Sequence, residues 1–322
     1  MRKLQATGVI LGTLLLIGLG FMGCVEWGDA IAALPPETPG VLYPGQGPLR
    51  VGVLGDAQKG LANLSRISNK VLHEPVNFMI QTGDLVSRND KGHYRLAMRY
   101  LSKGGVDRWP FVAPGNHDLK GGPELFHRYL GDLERSFTVA GVAFVILNNA
   151  FGNPVPDPRH VEARIAAAGP HEAVILAMHQ PPFDLEGNPR PEYATLLNWL
   201  EKSKAAYLLC GHVHTYMKKK VGDTTVIING VGGDSDAWQF DQTVYATIID
   251  IEGRKITDRR IELPPVHEAW ENVEHLAIGH VAEAYRQLPI LCWGATLLLA
   301  GGVGWGWTKL WRRREPFRQA VG

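Results

Sequence analysis

The sequence predicts an α/β fold in which two packed sheets are flanked by helices. Three observations carry that expectation. Strand-like apolar runs alternate with amphipathic stretches from residue 49 to Cys210, and after Cys210 nearly every run reads as a strand. Side chains suited to hold metal ions stand just past five of the apolar runs. Alternation first and strands last suits two sheets with helices against them. Strand ends in a wound α/β sheet converge on one place, where such side chains can meet.

The strands are expected near 49–55, 76–82, 110–113, 142–148, 172–178 and 206–210, then at 215–221, 224–230, 243–252 and 255–262. Helical spacing marks 60–73, 92–103, 122–130, 158–168 and 191–202. Pro-rich loops fall at 153–158 and 181–191. The second directly follows His179, so it should border whatever site His179 serves, and loops beside a fixed site are where substrate choice resides.

The five segments read GDAQ (Asp56, Gln58), GD (Asp84), GNHD (Asn116, His117, Asp118), MHQPP (His179) and GHVH (His212, His214). They follow LRVGVL, VNFMIQT, WPFVAP, EAVILA and AAYLLC. Oxygen and imidazole donors without a thiolate suit two hard or borderline divalent ions, the chemistry of phosphoester hydrolysis. Gly55, Gly83, Gly115 and Gly211 precede these turns, where a side chain would crowd the donors or the backbone angle.

Taken in order, these segments resemble the calcineurin-like metallophosphoesterases over roughly residues 48 to 263. The resemblance implies an αββα sandwich. It also implies two divalent ions, with Asp84 bridging them. Asp56, Gln58 and His214 would complete the first site, and Asn116, His179 and His212 the second. A hydroxide held between the ions would attack phosphorus in line with the leaving oxygen. His117 would donate a hydrogen bond or proton to the phosphoryl or leaving oxygen, with Asp118 fixing its tautomer and raising its pKa. The first motif departs from the family's usual Asp-x-His by carrying Gln58. Glutamine at this position is similar to the branch of manganese-dependent ADP-ribose/CDP-alcohol diphosphatases. A neutral amide oxygen favours Mn²⁺ or Mg²⁺ over iron, with Zn²⁺ also compatible with the set.

His212 and His214 would alternate on a straight strand, so both face one centre only if the backbone bends between them. NGVGGD at 229–234 reads either as a turn near the site or as a plain hairpin turn. Asp90, Asp107, Asp184 and Asp236 lack supporting spacing and read as surface groups, and Lys218–Lys220 as a solvated strand edge. Cys210 reads as a small buried hydrophobe.

The chain has 322 residues, 33 basic and 32 acidic, so no net field favours nucleic acid. An apolar content of 45% is ample for a core, and three cysteines build no disulfide framework.

Both ends are apolar. Residues 4–25 carry no charge and follow Arg2 and Lys3; residues 288–308 carry none and precede Lys309, Arg312, Arg313 and Arg314. Each is long enough to cross a hydrocarbon layer of roughly 30 Å, and Trp293, Trp305, Trp307 and Trp311 suit interfacial anchoring. The flanking cations place both termini in the cytoplasm and the domain between them on the outer, periplasmic side. A cleaved signal peptide or a lipoprotein signal ending at Cys24 are the alternatives at the N-terminus, and both also export the domain. The expected order is a span or signal anchor (1–29), a Pro/Gly-rich linker (30–48), the phosphoesterase domain (49–263), a juxtamembrane amphipathic helix (264–287), a second span (288–308) and a basic tail (309–322). Val266, Trp270, Val273, Ala277 and Val281 share a face of that amphipathic helix, and its His267, His275 and His280 read as solvated.

The leading functional expectation is a membrane-anchored phosphoesterase acting on a small phosphorylated substrate. A nucleotide, a nucleoside diphosphate conjugate, a lipid head group or an envelope precursor would each serve. The alternatives are a non-catalytic scaffold weakened at Gln58 and a protein phosphatase.

Overall fold

The computed structural model describes residues 7, 9–16, 18, 43, 47–103, 110–150, 155–230, 243–266, 273 and 275–312. The chain divides into two units, one of residues 29–271 and the other of residues 1–28 with 272–322.

In the larger unit, strands and helices alternate: β1 (Leu49–Leu54), α1 (Leu61–Leu72), β2 (Phe78–Gln81), α2 (Lys91–Lys103), β3 (Pro110–Val112), α3 (Asn116–Leu119) and α4 (Glu124–Leu130). Then come β4 (Arg135–Val139), β5 (Val142–Ile146), α5 (Pro158–Ala167), β6 (Ala173–Ala177), α6 (Ala194–Lys202) and β7 (Ala205–Cys210). The last strands are β8 (Tyr216–Val221), β9 (Thr224–Asn229), β10 (Val244–Glu252) and β11 (Lys255–Leu263).

The strands form two mixed sheets. One runs β11-β10-β1-β2-β3, the other β4-β5-β6-β7-β9-β8. In the first, β1, β2 and β3 are parallel and β10 is antiparallel to both of its neighbours, β1 and β11; in the second, β5, β6, β7 and β9 are parallel with antiparallel edges β4 and β8.

Alternation along each strand explains why the sheets stack. Val51, Val53, Phe78, Ile80, Phe111, Ile249 and Ile251 of one sheet share a core with Phe137, Phe144, Ile146, Ile175, Leu209 and Ile227 of the other. Phe78 bridges the sheets, edge-on to Phe111 at 5.4 Å and to Phe144 at 5.1 Å. The intervening residues Val145, Leu176, Leu208 and Ile228 face outward and meet Val161 of α5 and Leu196 and Leu200 of α6. On the opposite face α1 buries Leu64, Ile67 and Val71 at helical spacing. A methyl at Gly52 would meet the Val71 side chain at 2.6 Å, so this glycine sets how closely α1 can lie on the sheet.

Four expectations are corrected. Strand β4 was not expected, because RSFTV offers only Phe137 and Val139 to the core and sits at a sheet edge. GNHD, to which the sequence assigned no element, opens the one-turn helix α3. Asp90 is buried at 9% exposure, where its carboxylate accepts from the His93 backbone N–H and meets the His93 ring at 2.8 Å. The amphipathic helix does not begin at 264: residues 264–266 are irregular, and Val266 exchanges hydrogen bonds with the Asn63 side chain. Trp270, His267, Asp107, Asp236, Cys24 and most of the linker lie outside the described residues.

In the smaller unit, a π-helical turn His275–Val281 leads into α7 (Ala282–Gln287) and α8 (Pro289–Arg312). Pro289–Trp311 is long and apolar enough to cross a membrane, and Leu291, Leu297, Leu298 and Trp305 on it are exposed. Among the described residues this is one such helix, not one at each end. Residues 9–16 of the N-terminal stretch are helical and pack against α8, where Gly12 abuts Val303 and Gly306 abuts Val9. Trp307 Nε1 donates to Thr13 Oγ1 at 3.0 Å.

Candidate metal centre

Each candidate donor stands at or just past the C-terminal end of a sandwich strand. Asp56 and Gln58 follow β1, Asp84 follows β2, Asn116 follows β3, His179 follows β6, and His212 and His214 follow β7. The parallel strands bring these ends to one edge of the sandwich.

The backbone turns sharply where they meet. Six non-glycine residues have positive φ among those described, and five are Asp56 (49°), Gln58 (39°), Asp84 (54°), His212 (74°) and His214 (48°). Left-handed backbone is rare for such residues and is kept where surrounding structure enforces it. The bend expected between His212 and His214 is therefore present, with Val213 N bonded to the Gly211 carbonyl at 3.0 Å. Two glycines permit the crowding. Gly83 has φ of 99° and a methyl there would lie 2.4 Å from His179 Nδ1, while one at Gly115 would lie 2.1 Å from the Asp84 backbone nitrogen.

The donors form two groups that share one carboxylate. Asp84, His179 and His212 can hold one ion, and Asp56, Asp84 and His214 another, with the ligand atoms of each group within 4.8 Å of one another. His179 Nε2 stands 3.0 Å from Asn116 Oδ1, 3.1 Å from His212 Nδ1 and 3.5 Å from Asp84 Oδ2. His214 Nε2 lies 3.5 Å from Asp56 Oδ1 and 3.3 Å from Gln58 Nε2. Gln58 Nε2 also reaches Asp84 Oδ2 at 3.0 Å, and a half-turn of the amide presents its oxygen at the same place, the end that can bind a cation. Buried carboxylates, imidazoles and amides gathered without a thiolate fit two divalent ions.

Outer contacts orient these donors. His179 Nδ1 lies 2.8 Å from the Thr82 carbonyl, which can only accept, so Nδ1 carries the proton and Nε2 faces the centre. Asn149 accepts from the backbone N–H groups of His179 (2.9 Å) and Gln180 (3.0 Å). Gln81 clamps both sides of Gly83, at 2.7 Å to its nitrogen and 2.9 Å to its oxygen. Asn149 and Gln81 escaped the sequence reading. The one available signal for Asn149 was its place just past the apolar run VAFVIL.

Asp118 does not orient the His117 ring. Its carboxylate accepts from Gly115 N at 2.9 Å and Val86 N at 3.1 Å, because it stands at the third position of α3 and reaches back to cap it. His117 Nδ1 instead lies 2.9 Å from the Ser87 carbonyl, and its backbone N–H donates to Asp84 Oδ1 at 2.9 Å.

Without ions the charges sort by local field. Burial raises the Asp56 pKa, although the His214 hydrogen bond opposes it. Burial also acts to raise Asp84, but His179 overrides it and holds the group at about 2. Burial acts to lower His179, and Asp84 and Asp56 override it to about 9. Burial and the neighbouring His179 depress His212 to about 4. Burial and Asp84 push Asp118 up to about 7.

Residues 49–216 match the model of the family described as calcineurin-like phosphoesterase. The chain belongs to the calcineurin-like phosphoesterase family. It is accordingly a metal-dependent phosphoric ester hydrolase. No curated protein matches the chain at a significant level. Among solved structures, the calcineurin-like fold here is similar to GAP50, the anchor in the inner membrane complex of Plasmodium. That pair shares 16% identity over 73% of this chain and 96% of the other, with a TM-score of 0.50. It is also similar to the purple acid phosphatase PPD1 of yellow lupin (15% identity, 72% and 56% covered, TM-score 0.49). A novel archaeal phosphodiesterase matches at 14% identity, with 67% and 100% covered and a TM-score of 0.40. At these identities the likeness is one of fold.

The remaining expected groups are placed as follows. Asn229 is buried and Gly230 packs against His214, while the strands flanking NGVGGD belong to different sheets, so it is not a hairpin turn; 231–234 lie outside the described residues. Asp184 binds the Asn188 backbone at 2.7 Å. Lys218 is not merely solvated, since it meets Asp258 at 2.8 Å. Cys210 is buried, and burial raises its pKa.

Proposed function

We propose that this protein is a membrane-anchored phosphoesterase that uses two divalent ions to hydrolyse a phosphate ester or pyrophosphate bond in a small substrate. The observation that carries this reading is the sharing of Asp84 between two donor groups. One carboxylate can offer an oxygen to each of two ions, which fixes their spacing. When bound, such a pair supplies an activated water and neutralises charge on the phosphoryl oxygens.

The chain's own residues do the rest. Asp56, Gln58 and His214 complete one site, and Asn116, His179 and His212 the other. Their backbone strain and outer hydrogen bonds hold the donors ready, so little reorganises when ions arrive. With Nδ1–H donating to the Ser87 carbonyl, Nε2 is the His117 nitrogen left to act on the departing oxygen, as a hydrogen-bond or proton donor when the ring carries both protons. Manganese is the favoured ion because of the neutral Gln58 amide. The apolar helix Pro289–Trp311 supports anchoring. The basic residues flanking both apolar stretches support cytoplasmic termini and an outward-facing domain. The proposed substrates are nucleotides, lipid head groups or envelope precursors.

The test is metal analysis of the purified chain, with turnover of p-nitrophenyl phosphate and bis-p-nitrophenyl phosphate after Mn²⁺ loading. Bound divalent metal and turnover are expected. A metal-free, inactive protein would instead support the scaffold reading.

A further inference from the structure

Just past His179 the chain doubles back. Phe183 and Pro189 pair as an antiparallel bridge, and Arg190 N–H donates to the Pro182 carbonyl at 2.9 Å. This returns Arg190 to the segment that directly follows His179. Its Nη1 donates to the carbonyl of Pro181, two positions beyond His179, at 3.2 Å. Its Nε and Nη2 both reach Glu192 Oε1, at 3.0 and 2.7 Å.

The guanidinium is built in, not dangling. It lies 5.0 Å from the centroid of the Tyr193 ring, and Tyr193 is 2% exposed. The Tyr193 hydroxyl accepts from Asn149 Nδ2 at 3.1 Å, the same Asn149 that holds the His179 backbone. The platform under Arg190 and the support of His179 are therefore one network. Three of the five guanidinium N–H groups are used among the described residues, leaving one on each Nη atom. The Arg190 side chain keeps 26% exposure. Glu192 is 49% exposed, so the pair orients the guanidinium more than it cancels its charge.

We infer that Arg190 is a specificity-determining residue that binds a second phosphoryl group of the substrate, beside the one that is cleaved. The preferred substrates then carry a pyrophosphate linkage. This rests on the phosphoesterase reading of the centre. Two remaining donors on a planar, charged group suit two oxygens of one phosphoryl. None of the hydrogen bonds of Arg190 goes to a candidate ligand, and a guanidinium inside the ligand set would repel the ions. The scissile group belongs on the ions, so the group that Arg190 meets is its neighbour.

The test is calorimetry on the full-length, Mn²⁺-loaded protein with methylenediphosphonate and methylphosphonate as probes. Arg190→Gln should weaken methylenediphosphonate about tenfold or more and leave methylphosphonate within about twofold. Arg190→Lys, which keeps charge but not the fork, should recover part of the loss. Equal weakening of both probes, or none of either, overturns the inference. A thermal midpoint lowered together with equal weakening marks a purely structural arginine and overturns it too. Wild-type turnover of p-nitrophenyl phosphate and bis-p-nitrophenyl phosphate, taken together, is followed in parallel. Its absence sinks the phosphoesterase reading itself, whereas turnover with indifferent Arg190 variants sinks only the pyrophosphate preference.

Discussion

His117 Nδ1 lies 2.9 Å from the carbonyl oxygen of Ser87, while the neighbouring Asp118 spends its carboxylate on two backbone N–H groups. Adjacent residues of one motif thus have separable roles. His117→Ala should lower turnover by about a hundredfold or more while metal content stays at the wild-type level, as kinetics with elemental analysis would show. A parallel loss of metal would place His117 among the ligands instead.

Asp118→Ala should act on stability. It strands the buried N–H groups of Gly115 and Val86 and should cost about 2 kcal/mol or more. Denaturant unfolding measures this. An unchanged midpoint would show that water or another acceptor replaces the carboxylate.

Asp84→Asn should deplete both ions together, because both donor groups include Asp84. Asp56→Asn touches one group alone and should spare the other site. Metal-to-protein ratios after gel filtration distinguish the two variants, and equal depletion would contradict a shared ligand.

Gly83→Ala forces a side chain into φ of 99° and against the His179 ring. It should destabilise the fold by more than about 1 kcal/mol and abolish metal retention. A folded, metal-replete variant would show that the strand end can relax.

Metal uptake should release protons. Burial opposes a charge on His179, but Asp84 and Asp56 raise its pKa to about 9, so the ring is protonated at neutral pH in the metal-free protein. The sign follows: an ion must displace that proton, so affinity should rise with pH and level off above about 9. Calorimetry in buffers of different ionisation enthalpy counts the protons. A count of zero at pH 7 would rule this out.

Much of the site was legible in the sequence because each donor follows an apolar run, and such a run reads as a strand from local periodicity alone. Asp56, Asp84, Asn116, His179 and His212 were visible in that way, and the structure brings them together. Asn149 and Gln81 were not, since a buried amide that supports a ligand carries no spacing of its own. Strand β4 was missed for a similar reason: an edge strand exposes one face and shows too few apolar residues.

By itself the sequence determined the α/β class, the order of the elements and which side chains could serve as donors, because these depend on residue type and short-range period. Tertiary structure alone decided that Asp118 caps a helix instead of steering His117, and that Arg190 returns to the carbonyl of Pro181, just past His179. Those outcomes depend on contacts between strand ends and loops distant along the chain. Such contacts are set by how two sheets stack, which no local pattern encodes.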